Sequence, residues 1–286
     1  MRPLLPAALR EKIPLPQHAG TWPTRTHARR MILLAGCVQP AMQPNINAAT
    51  ARVFDALGVQ LLIAPQAACC GAIRHHLDDL DGSRADARRN IDAWLPLLDQ
   101  GAEAIVMNAS GCGVQVKDYA HLLRDDPHYA EKALRIAAAT RDVADLLPAF
   151  VTSLQALLKE PDPHQRIVFH APCTLQHGQK LGGAVESLLG ALGVAVLPVS
   201  ESHLCCGSAG TYSVLQPELS RALRTRKLAH LEAPEPDLIL SANIGCISHL
   251  QAAAGTPVRH WIEWLDERLA AGVGSDSVEL PAHSLE

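Results

Sequence analysis

Eight cysteines stand in the 286-residue chain, and they fall into two matching sets. Cys37, Cys69, Cys70 and Cys112 form the first; Cys173, Cys205, Cys206 and Cys246 form the second. The step from the first cysteine to the paired ones is 32 residues in both sets, and the step from the pair to the last is 42 and 40. Each pair reads Cys-Cys-Gly. Adjacent cysteines rarely satisfy disulfide geometry, so a duplicated pair asks for other chemistry. Four converging thiolates suit an iron–sulfur cluster. They also suit a structural zinc, although such sites usually come as local C-x2-C knuckles, and none occurs here. Metal-free thiol–disulfide exchange is the third reading. Burial as a small hydrophobe explains one cysteine well and eight in register poorly.

Other chemistry-bearing residues are weaker candidates. His75, His76, His170, His177 and His203 lie near the cysteines and are read as solvated or core histidines rather than ligands. His170 is singled out because it closes a strand just before Cys173, where the first repeat is taken to place Ala35 or Gly36. Asp78-Asp79 and the run Arg84–Arg89 read as solvated faces. No G-x-G-x-x-G or G-x-x-x-x-G-K loop is present, which argues against a nucleotide or flavin site in this chain. No Ser/His/Asp hydrolase signature stands out. The net charge of −4 carries no basic footprint for nucleic acid.

The flanks of the cysteines show which elements position them. "MILLAGC" ends at Cys37 and "IVFHAPC" at Cys173, a period of 136 residues. "FDALGVQLLIAP" and "LGALGVAVLPVS" precede the two Cys-Cys-Gly stretches, and "AEAIVMNASGC" and "PDLILSANIGC" end at Cys112 and Cys246. Each unit predicts strand, helix, strand, helix, strand. The strands are placed at Met31–Ala35, Val59–Ala64 and Ala104–Asn108, then at Ile167–His170, Val194–Val199 and Leu238–Ala242. Between them lie a helix capped by Asn45 or Asn47 and closed by Gly58, and one opened by Ser83. Their second-repeat partners end at Gly193 and span Gln216–Leu231. A short strand is expected at Arg141–Leu146, with "PVRHWIEWLDERLA" as its counterpart. This is an α/β fold of two homologous Rossmann-like βαβαβ halves with mostly parallel sheets, packed about a pseudo-twofold. Because loops at the carboxyl ends of parallel strands gather at one edge, each cysteine set is brought together there, near the interface of the halves.

Residues 1–30 are read as a Pro-rich lead-in, 31–160 and 161–272 as the two cysteine-rich domains, and 273–286 as a tail. Aromatic residues make up only 3% of the chain, so aliphatic side chains must fill the core. No apolar run reaches the ~18–20 residues of a membrane span, and no signal peptide is evident. Cysteine usage without a disulfide framework points to an intracellular, cytoplasmic protein.

The duplicated pattern resembles the cysteine-rich "CCG" domain. That domain occurs in the iron–sulfur subunit of bacterial glycolate oxidase, heterodisulfide reductase, anaerobic glycerol-3-phosphate dehydrogenase and lactate-utilisation proteins. "GCVQPAMQPNINAATARVFDALGV", "CCGAIRHH", "NASGCGVQVKDY" and "CCGSAGTYSVLQPELS" look most like the glycolate oxidase iron–sulfur subunits. The resemblance implies electron transfer from a flavin-bearing partner that oxidises glycolate to glyoxylate. It implies one or two [4Fe–4S] clusters on the eight cysteines, with zinc as the alternative, and FAD only on the partner. A disulfide reductase, a lactate-utilisation subunit and a zinc-containing docking subunit are the alternatives within it. The protein would be cytoplasmic and held at the inner membrane through partners.

Two departures from the pattern are visible. The C-x2-C-x2-C-x3-C-P runs of the family's ferredoxin-like domain are absent, read either as a truncated or miscalled sequence or as a natural split with a separate ferredoxin-like chain as partner. The terminal Cys-x-x-Cys is also incomplete, with Ala109 and Asn243 at its first position, which leaves four thiolates per site.

Overall fold

The computed structural model describes residues 17–269 and 277–278. The first half is built on β1 (Arg29–Leu33), β2 (Val59–Leu62), β3 (Ile105–Met107) and β4 (Thr140–Asp142), hydrogen-bonded in the order β2-β1-β3-β4. The second uses β5 (Ile167–His170), β6 (Val196–Leu197), β7 (Leu238–Ser241) and β8 (Val258–His260), in the order β6-β5-β7-β8. Every pairing within these two sheets is parallel. Parallel neighbours need crossovers, and helices supply them. The main ones are α1 (Asn45–Ala56), α2 (Leu80–Asp99), α3 (Ser110–Lys117), α4 (Ala130–Ala139), α5 (Ala184–Ala191), α6 (Pro217–Glu232), α7 (Ile244–Gln251) and α8 (Trp261–Asp266).

Helices on both faces explain why the central strands are apolar throughout. Alternate residues serve different cores. Met31 and Leu33 join a cluster that also contains Ile167, Phe169, Leu240, Trp261 and Leu265, so the two halves share it. Ile32 and Leu34 point the other way, to a first-half core with Trp94 and Met107. Val168 and Ile239 build the equivalent outer core of the second half. Cys70 belongs to the first outer core, and Cys206 and Cys246 to the second, so the cysteine loops rest on packed apolar floors.

The expected strands are found, trimmed by one or more residues at most ends. The edge strand foreseen at Val194–Val199 is only Val196–Leu197. The segment foreseen as a strand at Arg141–Leu146 is strand only to Asp142, followed by a helical turn over Val143–Leu146. The cause is the Asp142 carboxylate, which accepts from the Ala144 N–H at 3.0 Å and so starts a helix. His260 does the same for α8, where Nδ1 accepts from the Ile262 N–H at 3.1 Å. Neither Asn45 nor Asn47 caps α1, which begins at Asn45 after Pro44 without a side-chain cap. Asn47 is instead buried, where it donates to the Ala35 carbonyl and accepts from Gln39 and Asn108. Ser83 lies inside α2; Asp79 caps that helix by accepting from Gly82 N–H at 3.0 Å. Asp79 and Arg74 also form an exposed ion pair, while Arg88 pairs with Asp126.

Part of the lead-in and tail is described: Trp22–Pro23 pairs antiparallel with Ser277–Val278. The rest of both expectations, 1–16, 270–276 and 279–286, lies outside the described residues.

Candidate metal centres

Each cysteine sits just past the carboxyl end of a strand. Cys37 follows β1 and opens the short helix Val38–Met42. Cys69 and Cys70 follow β2, and Cys112 lies in the first turn of α3, after β3. Cys173 follows β5 at the start of a π-helical turn over Thr174–Gly178, Cys205 and Cys206 follow β6, and Cys246 lies in the first turn of α7. The two quartets expected from spacing are therefore brought together, one at the edge of each sheet. Exposure grades across each site: Cys37 is exposed, Cys69, Cys112, Cys173 and Cys205 are half-buried, and Cys70, Cys206 and Cys246 are buried.

In the first quartet Sγ of Cys37 lies 3.3 Å from Sγ of Cys69. Cys69 is electrostatically coupled to Cys70, and Cys70 to Cys112, so the four thiols form a coupled series. The same coupling runs through Cys173, Cys205, Cys206 and Cys246 in the second. Backbone N–H groups of Gly71 and Gly207 donate to Cys69 and Cys205 at 3.4 and 3.3 Å. Crowding splits the thiols electrostatically. Cys69 and Cys205 are pulled down to about 2, first by hydrogen bonds from Cys37 and Cys173, then by those from Cys70 and Cys206. Cys37 and Cys173 are pushed up by the same bonds and then by burial. Neighbouring thiols coupled in this way cannot all ionise against one another, and a shared cationic centre relieves that conflict. An all-thiol donor set packed on an apolar floor therefore fits an iron–sulfur cluster or a thiolate-bound zinc.

The glycines make the paired turns. Gly71 and Gly207 hold φ of +85° and +90°. A Cβ on Gly207 would lie 2.3 Å from the Ser220 carbonyl oxygen, whereas one on Gly36, at φ +77°, meets nothing within 4 Å. Gly36→Ala should cost only the left-handed penalty of about 1–2 kcal/mol. Gly207→Ala adds a backbone collision and should cost about 3 kcal/mol or more. Urea denaturation of the two variants compares them directly. Equal midpoints would show that the second turn is not built as described.

Residues that hold the loops carried no motif in the sequence. Asn90 donates to the Cys69 carbonyl at 2.8 Å and accepts from Ala68 N–H, and Tyr119 donates to the Cys70 carbonyl at 2.9 Å. Seven residues before Asn90 in α2 stands Ser83 beside Gly71; seven before Lys227 in α6 stands Ser220 beside Gly207. Lys227 is thus the counterpart of Asn90. It is buried, and Nζ donates to the carbonyls of Glu201 and Ser202 at 3.2 and 2.9 Å.

The histidines divide. His76, His177 and His203 are exposed, and His75 is half-buried against Gln115 at 3.2 Å. His170 is buried, as a core histidine would be, but its ring lies with Cys206 and Cys246: one donor atom from each falls within 4.8 Å of the others. Strand register corrects its first-half counterpart. Leu33 and Phe169 hold equivalent places beside Val106 and Leu240, so the residue matching His170 is Leu34, not Ala35 or Gly36.

The halves meet between the two sites. Ser110 N–H donates to the Ala242 carbonyl at 3.1 Å, and Ser110 Oγ lies 2.8 Å from Thr174 Oγ1. Gly111 N–H, beside Cys112, donates to Asn243 Oδ1 at 3.3 Å, and Asn243 in turn donates to Cys246 Sγ at 3.7 Å.

Two parallel sheets that each present a thiol quartet define a cysteine-rich α/β protein. The chain belongs to the cysteine-rich CCG domain family, whose sequence profile matches it twice, over residues 31–117 and 167–251. It is 47% identical over 270 residues to the glycolate oxidase iron-sulfur subunit of Escherichia coli (strain K12), covering 94% of this chain and 65% of that protein. A probable glycolate oxidase iron-sulfur subunit of Bacillus subtilis (strain 168) is 29% identical over 225 residues, covering 78% and 49%. Lactate utilization protein A of Bacillus licheniformis is 27% identical over 248 residues, covering 84% of this chain and 100% of that protein. The chain thus spans less than two thirds of the two glycolate oxidase subunits. Among the described residues no helix is long and apolar enough to cross a membrane.

Proposed function

We propose that this protein is an iron–sulfur electron-transfer subunit of a glycolate oxidase or dehydrogenase complex. In this reading Cys37, Cys69, Cys70 and Cys112 hold one [4Fe–4S] centre and Cys173, Cys205, Cys206 and Cys246 the other. The observation that carries it is the pair of connected thiol quartets on either side of one inter-half contact. A cluster bound there supplies one-electron transfer. The chain's own part is to supply sulfur ligands, hold them on Gly71 and Gly207 turns, and keep the inner sulfurs from water. The flavin that oxidises glycolate to glyoxylate would sit on a partner subunit, since no phosphate-cradling loop follows any strand here. Ile73 and Leu77 after the first Cys-Cys-Gly, and Val214, Leu215 and Leu219 after the second, are exposed apolar side chains close in sequence to the cysteines. They support docking of the flavoprotein, or of a separate ferredoxin-like chain, on the cluster side. Attachment at the cytoplasmic face of the inner membrane would then run through those partners.

The test is iron and acid-labile sulfide analysis on anaerobically purified protein, with EPR spectra before and after dithionite. Iron with sulfide and a redox-dependent signal is the expected result, with Cys69→Ser and Cys205→Ser each removing a separate share of the iron. Zinc without sulfide would overturn the reading and leave a docking module. A second substrate reading rests on the lactate utilization relative, whose whole length the chain matches. Co-purifying the flavoprotein and assaying glycolate against lactate decides between them.

A further inference from the structure

Nothing in the first site resembles the buried imidazole of the second. His170 has no accessible surface, and its ring nitrogens have no partner other than the sulfur of Cys246. A buried polar group left without a good partner costs about 1–3 kcal/mol, so an imidazole facing only sulfur asks for an explanation. The ring is not free to turn away from the site. Its residue closes β5 in register with Ser241, whose Oγ donates to the His170 carbonyl at 3.0 Å. That fixes the backbone and leaves the ring against Cys206 and Cys246, the two most deeply placed thiols of the quartet. The matching position of the first half is Leu34, which packs into the outer core and can donate nothing.

We propose that His170 supplies an imidazole nitrogen to the second centre in place of one thiolate, so that the two centres are chemically unlike: thiolates alone in the first half, thiolates and one nitrogen in the second. The proposal rests on the reading that the quartets hold metal. Imidazole is a good ligand for both iron and zinc, and as a neutral donor in place of a thiolate it removes one negative charge. Coordination would use one ring nitrogen and leave the other to carry the ring proton. Histidine in place of a thiolate raises the potential of an iron–sulfur centre, so a cluster held this way would have a higher potential than one held by thiolates alone.

The experiment isolates the second centre in a Cys37→Ser/Cys112→Ser variant, purified anaerobically and assayed for iron, zinc and sulfide. The dithionite-reduced protein is examined by pulsed EPR with natural-abundance and 15N-histidine labelling. The expected result is the modulation of a directly bound imidazole nitrogen, changed by the label and lost in His170→Leu, which installs the residue that the first half carries. Iron and sulfide without any histidine nitrogen modulation overturns the proposal while the electron-transfer reading stands. Zinc without sulfide overturns that reading instead. X-ray absorption at the zinc edge then decides His170 separately: a nitrogen in the shell supports it, and an all-sulfur shell overturns it. The labelling comparison needs no substitution at His170, so misfolding of that variant does not remove the test.

Discussion

With the proposed clusters bound, Lys227→Gln is expected to lower the midpoint potential of the second centre by on the order of 60 mV, a tenfold change for a one-electron couple, and to leave the first centre unchanged. Lys227 is 1% exposed, and its ammonium interacts with all four thiols of the second quartet: Cys173, Cys206, Cys205 and Cys246. Burial lowers the Lys227 pKa against the pull of the four thiols; the protonated ammonium favours whichever oxidation state is more negative, so it stabilises the reduced centre. Asn90, at the matched position of the first half, ties its loop down by hydrogen bonds alone. The same architectural task is therefore done once by a neutral amide and once by a cation. Glutamine keeps an N–H donor for the Glu201 and Ser202 carbonyls while removing the charge. If Lys227 only pins the loop, a redox titration of Lys227→Gln followed by EPR will show both midpoints where the wild type has them. The first centre is the internal reference in the same sample.

Much of this arrangement was legible in the sequence, for a definite reason. Parallel α/β topology places residues that follow strands at one edge, so cysteine spacing and apolar runs sufficed to assemble both quartets. The elements that escaped were governed by single polar side chains. Asp142 and His260 each stop a strand and start a helix, and an apolar-pattern reading runs straight past such a cap. Asn47 looked like a helix cap, yet it serves a buried amide network with Gln39 and Asn108 that no local pattern reveals. His170 was placed at the strand end before Cys173, but its company, Cys206 and Cys246, depends on how a loop after one strand and a helix after another fold back over it. Lys227 was invisible because a lysine in a charged helix reads as solvated. Only the repeat alignment of Ser83 with Ser220 exposes it as the partner of Asn90.

The two helix-starting residues also set an expected pH response. Burial pushes Asp142 up to about 6, only partly offset by the Ala144 N–H and by Gln179, which donates to its Oδ2 at 2.7 Å. Burial pushes His260 down to about 4, opposed by the Asn108 carbonyl at 2.8 Å. Because Ile262 N–H donates to Nδ1, the neutral ring must carry its proton on Nε2 and give it to that carbonyl; a second proton has no acceptor. The signs are opposite. The folded pKa of Asp142 lies above its unfolded value near 3.9, so its contribution is present at low pH and is lost as pH rises through 6. The folded pKa of His260 lies below its unfolded value near 6.5, so its contribution is present above that and is lost as pH falls through 4. Each shift is worth about 3 kcal/mol at most. Between pH 4 and 6 the two nearly cancel, and these residues leave the wild type flat. Asp142→Asn should therefore lose stability on acidification across that range, and His260→Gln should gain it, each by up to about 3 kcal/mol relative to the wild type. The double variant should be flat again. Urea unfolding at half-unit pH intervals measures all four proteins, and parallel pH profiles for the two single variants would refute the assignment. The pairing has a structural logic, since both residues end the last strand of their sheet and both reach across to the other half, Asp142 to Gln179 and His260 to Asn108. A proton gained at one contact between the halves is thus set against a proton refused at the other, which keeps the junction beneath the two cysteine centres evenly held as the pH changes.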